Sequence, residues 1–164
     1  VTITAATSAD LDAIARLFER HTGRPADQAT FERWIDTAPS AVARDDGDVV
    51  GYAVCQRFAP DVVELAALLV EPSHRGQGIG MGLVDAVEAG ASTHGFAAIV
   101  VVTSDGYEVV GEKRSARPFY ERRGYSALIE TDQTVVLGRH LDARAADRDD
   151  GRGDDRGDPR GDGP

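Results

Sequence analysis

The chain has 164 residues, 28 of them acidic and 18 basic, for a formal charge of −10. That length suits one domain, and the negative field repels phosphate backbones and anionic lipid, so neither nucleic acid nor membrane is an expected partner. One cysteine, Cys55, excludes an intrachain disulfide and a cysteine-built zinc site. No apolar run approaches the ~20 residues that span a bilayer, and Val1-Thr2-Ile3-Thr4 has no basic-then-apolar pattern, so the expected location is cytoplasmic.

Helical and extended patterns alternate along the first 140 residues. Val1 to Thr4 reads as a strand. Ser8 is placed to cap a helix in which Leu11, Ile14, Leu17 and Phe18 recur at helical spacing, stopped by Gly23 and Pro25. A second helix is predicted over Gln28 to Thr37, with Phe31, Trp34 and Ile35 on one face. Ala41 to Arg44 reads as extended, Asp45-Asp46-Gly47-Asp48 as a hairpin turn, and Val49 to Phe58 as the returning strand. Val62 to Val70 is nearly all apolar, as for a strand buried on both faces. After Pro72 and a glycine-rich stretch, Ile79 to Ala91 reads as a helix with Ile79, Leu83, Ala86 and Val87 inward. Phe96 to Val102 is an apolar strand, Thr103 to Arg114 a polar loop, and Ser115 to Arg123 a short helix. Tyr125 to Glu130 and Gln133 to Leu137 complete the sheet. The order β-α-α-β-β-β-α-β-α-β-β describes a mixed α/β layered domain over residues 1–140.

The remainder, residues 141–164, changes character. From Asp142 on it holds eight Asp, five Arg, Gly and Pro, and no large apolar residue, so it is predicted to be a disordered tail. Arg-Gly-Asp occurs there three times, as expected by chance in a segment built from those residue types. The body keeps 20 acidic and 13 basic residues, so acidity is a property of the predicted folded part as well.

Chemistry concentrates in Val70-Glu71-Pro72-Ser73-His74-Arg75-Gly76-Gln77-Gly78-Ile79-Gly80. Glycines between a buried strand and a helix start let a ligand approach the backbone. The first helical amides lack intrahelical partners and lie at the positive end of the dipole, which makes such a turn a receptor for phosphate or diphosphate. A nucleoside-triphosphate loop would need Gly-Lys-Ser/Thr, and a dinucleotide fingerprint Gly-x-Gly-x-x-Gly; neither is present. A purely structural turn remains the alternative on these residues alone.

The run Arg75-Gly76-Gln77-Gly78-Ile79-Gly80 resembles the Arg/Gln-x-x-Gly-x-Gly/Ala motif of the Gcn5-related N-acetyltransferases. Ala116-Arg117-Pro118-Phe119-Tyr120-Glu121-Arg122-Arg123-Gly124-Tyr125 is similar to that family's second signature. The resemblance implies a sheet of about six to seven strands flanked by about four helices, with splayed central strands. It implies acetyl-coenzyme A as cosubstrate and no metal. Carried over by position, Arg75, Gly76, Gln77, Gly78, Ile79, Gly80 and Met81 would hold the diphosphate, and backbone groups of Leu68, Leu69 and Val70 would pair with the pantetheine arm. The family often has Asn at the position of Lys113, where an ammonium could still reach a phosphate.

The implied reaction is direct attack of a primary amine on the acetyl carbonyl, the acceptor being a small molecule or a protein amine. Backbone amides near Ala67–Leu69 would stabilise the oxyanion. Tyr120 stands where the family commonly places a general acid, and a phenol is suited to protonating a thiolate; packing under the cosubstrate is its alternative role. Glu64, fourteen residues before Gly78, stands where histone-type members carry a catalytic glutamate. Among Val62, Val63, Leu65 and Ala66 it is expected to be partly desolvated, which strengthens a carboxylate as a base; a solvated strand-start residue and a water relay are the alternatives. A non-catalytic acyl-coenzyme A sensor on the same fold is the rival function. Monomer and homodimer are both open.

Other polar residues carry weaker expectations. Cys55 reads as core rather than as an acetyl-cysteine nucleophile. His21, His74, His94 and His140 lack metal-ligand spacing. Trp34 reads as core or as a wall of the amine pocket. Tyr107, Glu108 and Glu112 sit where a loop could line the acceptor site. The acidic body would attract a cationic acceptor such as a polyamine, an amino sugar or a lysine-like amine.

Overall fold

The structure is a computed structural model that describes residues 1–103, 107–109 and 112–141, with side chains described for 1–103 and 115–141. The tail from Asp142, and the side chains of Tyr107, Glu108, Glu112 and Lys113, therefore lie outside the described part.

β1 (Thr2–Ala5) leads into a single 3-10 turn at Ser8–Asp10 and then α1 (Leu11–Thr22). The entry is built differently from the Ser8 cap expected. Asp10 reaches back, and its carboxylate accepts from the Thr7 amide at 2.8 Å and the Thr7 hydroxyl at 3.1 Å. Asp10 is buried and its charge is met by Arg44 on the neighbouring strand, which also ties the helix start to the sheet. Gly23 ends α1 in the left-handed conformation that favours glycine (φ 66°). α2 (Gln28–Thr37) spans the residues expected, capped by Asp27, whose carboxylate accepts from the Thr30 amide and hydroxyl.

β2 (Ala41–Asp45) and β3 (Asp48–Ala59) form the expected hairpin. Asp46 (φ 46°) and Gly47 (φ 93°) both take positive φ, the tight turn whose twist matches its flanking strands. β4 (Val62–Val70), α3 (Ile79–Thr93), β5 (Ala98–Thr103), α4 (Arg117–Glu121), β8 (Ser126–Glu130) and β9 (Val135–His140) follow. The stretch read as a polar loop instead contains two three-residue strands, β6 (Tyr107–Val109) and β7 (Glu112–Arg114), paired antiparallel as a separate ribbon. Three-residue strands are too short to register as a hydrophobic period.

The seven-stranded sheet runs β1-β2-β3-β4-β5-β9-β8. One core covers α3 and α4 and the sheet face they pack on, from Ala43 through Val63 and Leu83 to Leu137. A second lies on the opposite face under α1 and α2, built on Ile14, Leu17, Phe31, Val42, Tyr52 and Val54. Leu141, placed at the start of the tail by sequence, is buried in the first core, and its amide donates to Ala97.

β4 was expected to be buried on both faces, and only Val63 and Leu65 are. The reason is its partnership. β4 pairs with β3 along its whole length, with an extra residue, Ala66, bulged out between Leu65 and Ala67. Its parallel pairing with β5 covers only Val62–Glu64 against Ala98–Val100. Beyond that the two strands part, and residues 66–70 are only half-buried. A bulge bends the strand that carries it, and here it sits where the strands diverge.

Candidate active site

At the end of β4 the chain makes a cradle. Gly76 (φ 77°) and Gly78 (φ 81°) both adopt the left-handed conformation, which strains any residue bearing a Cβ. The first α3 bond runs from the Gly82 amide to the Gly78 carbonyl at 3.0 Å. Among the described residues, none of the amides of residues 76–81 donates to a protein acceptor. Six consecutive amides thus stand unpaired at the positive end of a fifteen-residue helix.

The turn before the cradle is held in place on all sides. Arg75 Nε donates to the Val70 carbonyl at 2.9 Å, and Gln77 Nε2 to the Ser73 carbonyl at 3.3 Å. The Glu71 amide donates to the Val50 carbonyl, and its carboxylate is met by His21 at 2.9 Å and Arg20 at 3.4 Å. Such a donor set suits a diphosphate. Ile79 is buried beneath the cradle and Met81 is half-exposed beside it. Leu68, Leu69 and Val70 lie on the part of β4 that β5 has left, so that edge is open to an added strand.

Strand register places Glu64 in a row that crosses five strands on the α2 side of the sheet. Gln56 pairs with Glu64, Glu64 with Val100, Val100 with Gly138, and Gly138 with Ser126. Gln56 Nε2 donates to Glu64 Oε2 at 2.7 Å, while the Trp34 indole donates to Gln56 Oε1 at 3.0 Å. An indole N–H can only donate, so it fixes the Gln56 amide and aims its nitrogen at the carboxylate. Trp34 is half-buried and edge-on to Phe31, at 5.4 Å between centroids, so it packs on the core under α1 and α2. Nothing in the sequence signalled this Trp34–Gln56–Glu64 chain, because it depends on the hairpin register and on where α2 lands.

Tyr120 lies on the other face. It is buried in the α3-side core between Phe119 (4.9 Å) and Tyr125 (5.4 Å). The Phe119 ring lies 3.9 Å from where a Gly80 Cβ would stand, so α4 is seated against the cradle. Tyr125 is locked in a separate cluster. Its hydroxyl donates to Glu88, which also receives Arg123 and Arg139, and burial followed by the Glu88 charge pushes its pKa up. Glu64 and Tyr120 thus stand on opposite faces of the sheet.

Cys55 is fully buried beside this site. Burial, and then the charge of Glu64, push its pKa up to about 12, which keeps the thiol protonated and unreactive. The histidines do not converge: His21 serves Glu71, His74 bonds Asp45 and Ser73, and His94 bonds the Gly90 carbonyl. Among the described residues, no cluster of His, Cys, Asp or Glu could hold a metal. No described helix is long and apolar enough to cross a membrane.

A strand that breaks from its neighbour beside a glycine cradle is the arrangement of an acyl-coenzyme A transferase fold. Residues 9–125 match the model of the acetyltransferase (GNAT) family. The chain belongs to that family. No curated protein matches it by sequence. Solved structures are similar in fold. An aminoglycoside 6'-acetyltransferase type Ii is 20% identical, with a TM-score of 0.72, covering 86% of this chain and 97% of that one. A phosphinothricin acetyltransferase from Sinorhizobium meliloti, solved with acetyl-coenzyme A, is 22% identical, with a TM-score of 0.69 and coverages of 85% and 88%. The ribosomal-protein-S18-alanine N-acetyltransferase from Escherichia coli is 19% identical, with a TM-score of 0.66 and coverages of 85% and 93%.

Proposed function

We propose that the protein is an N-acetyltransferase that moves the acetyl group of acetyl-coenzyme A to a primary amine by direct attack. The observation that carries this reading is the run of six unpaired amides at residues 76–81 beside the open edge of β4. The amides would hold the diphosphate, and Leu68, Leu69 and Val70 would hold the pantetheine arm. The Lys113 ammonium would add a further contact to a phosphate. Bound there, the thioester supplies an activated acyl carbon.

The chain's own groups would then divide the proton work. The amine nitrogen forms the new C–N bond as the C–S bond breaks. An acceptor bound as an ammonium would first give one proton to solvent; Glu64 would take the proton the amine nitrogen loses on attack, and the Tyr120 hydroxyl would protonate the departing thiolate. Backbone amides near Ala67–Leu69, where the Ala66 bulge re-aims the strand, are placed to receive the oxyanion. Placement on opposite faces suits the two roles, since base and acid would reach the reacting atoms from different sides.

The rival is an acyl-coenzyme A sensor that binds without turnover. A screen for free thiol from acetyl-coenzyme A across amine classes separates the two. Thiol release with at least one amine is expected; tight binding with release by none would favour the sensor. The cytoplasm is the setting we propose for this reaction.

A further inference from the structure

The five-strand row on the α2 side has two unlike ends. At one end is a carboxylate. Glu64 Oε2 is committed to Gln56, and Oε1 makes no hydrogen bond among the described residues. The other end is apolar. Val100 lies beside Glu64, and Gly138 comes next, its missing side chain filled by Leu128, whose Cδ1 occupies the space a Cβ would need. A second row, Val102–Val136–Ile129, runs alongside by register.

The far part of that apolar end is uncovered, whereas Val100, next to Glu64, is buried and Val136 half-buried. Val102, Leu128 and Ile129 are 48%, 61% and 58% exposed. The remaining large exposed hydrophobics among the described residues, Val1, Phe58 and Met81, lie apart from them. The core under α1 and α2 stops at β4 and contributes no residue over β5, β9 or β8. An exposed apolar strip adjoining a single charged group fits a ligand of matching polarity.

We infer that the acceptor site is amphipathic and takes a primary amine carried on an apolar body. The ammonium meets Glu64 Oε1, and the apolar body passes the buried Val100 to lie over Val102, Val136 and Ile129. A polyamine or an amino sugar would have to strip water from polar groups over that strip without replacing its hydrogen bonds, which disfavours both. The inference rests on the proposed amine acetylation for its function, but its binding geometry can be tested without turnover.

Trp34 is the only tryptophan, so its indole N–H gives one resonance, wired through Gln56 to Glu64. Full-length protein is titrated with n-butylamine, n-hexylamine, n-hexanol and spermidine while that resonance is followed. Hexylamine is expected to bind roughly tenfold more tightly than butylamine, about threefold per methylene. Hexanol and spermidine are expected to bind more weakly than hexylamine. In Ile129→Asp the advantage of hexylamine over butylamine should disappear, and in Glu64→Gln the amine-induced shift should vanish, with circular dichroism confirming that both variants fold. Tighter binding of spermidine, an unchanged hexylamine affinity in Ile129→Asp, or a wild-type dimer that Ile129→Asp converts to monomer in sedimentation would each overturn the inference. The last result would mean that a second copy covers the strip. Thiol release keeps the two readings apart. If hexylamine binds as described but no amine releases thiol, the transferase reading fails. If spermidine is acetylated and hexylamine does not bind, the amphipathic site fails and the transferase reading stands.

Discussion

The two halves of the sheet are covered differently. β1 to β4 carry α1 and α2 on one face and α3 on the other, and their side chains fill two cores. β5, β9 and β8 share only the core on the α3 side, and β8 is exposed at every position. The boundary between the halves is the place where β4 and β5 separate after Glu64 and Val100. The core on the α3 side thus runs through both halves, while the core under α1 and α2 serves only the first. The candidate site occupies the seam and the uncovered quarter, where less packing would have to be disturbed for a ligand to enter.

The largest effect should come from the seam. Gly78→Glu puts bulk and negative charge at the cradle, and calorimetry should show acetyl-coenzyme A affinity falling at least about a hundredfold. Retained affinity would detach the cradle from cosubstrate binding. The covered and uncovered faces are separated next by truncation. Leu83→Ala empties a fully buried position in the shared core and should cost about 3 kcal/mol in urea unfolding. Ile129→Ala on the open strip should cost less than about 0.5 kcal/mol. Equal costs would mean the strip is covered.

Tyr120→Phe keeps the ring packing and removes the hydroxyl. Turnover should fall about tenfold to a hundredfold, with acetyl-coenzyme A affinity little changed. Unchanged turnover would take Tyr120 out of the mechanism. The last effect is a pH slope. The folded Cys55 thiol holds its proton up to about pH 12, whereas the unfolded thiol loses its proton near pH 8.5. Above that lower value the unfolded state binds fewer protons than the native state, so stability should fall as pH rises, by at most about 1.4 kcal/mol per unit. Cys55→Ala should flatten this slope; the same slope in the variant would assign it to another group.

Much of the architecture was legible in the sequence. α2 and β4 lie at the residues expected, and the Asp46-Gly47 turn and the Gly23 stop act through local backbone preference alone. The cradle was legible for the same reason, since three closely spaced glycines before a helix constrain the backbone locally. What escaped is long-range. The half-exposure of β4 depends on where β5 leaves it, and the Trp34–Gln56–Glu64 chain joins three elements far apart in sequence. Asp10 was missed as the α1 anchor because its burial depends on Arg44 arriving from β2.

The cradle is tested most directly by backbone amide chemical shifts on adding coenzyme A to the full-length protein. The account expects the amides of Gly76 through Met81 to move most, as they acquire acceptors that none of the described residues supplies. Coenzyme A binding that leaves those six amides unmoved while shifting others would contradict it.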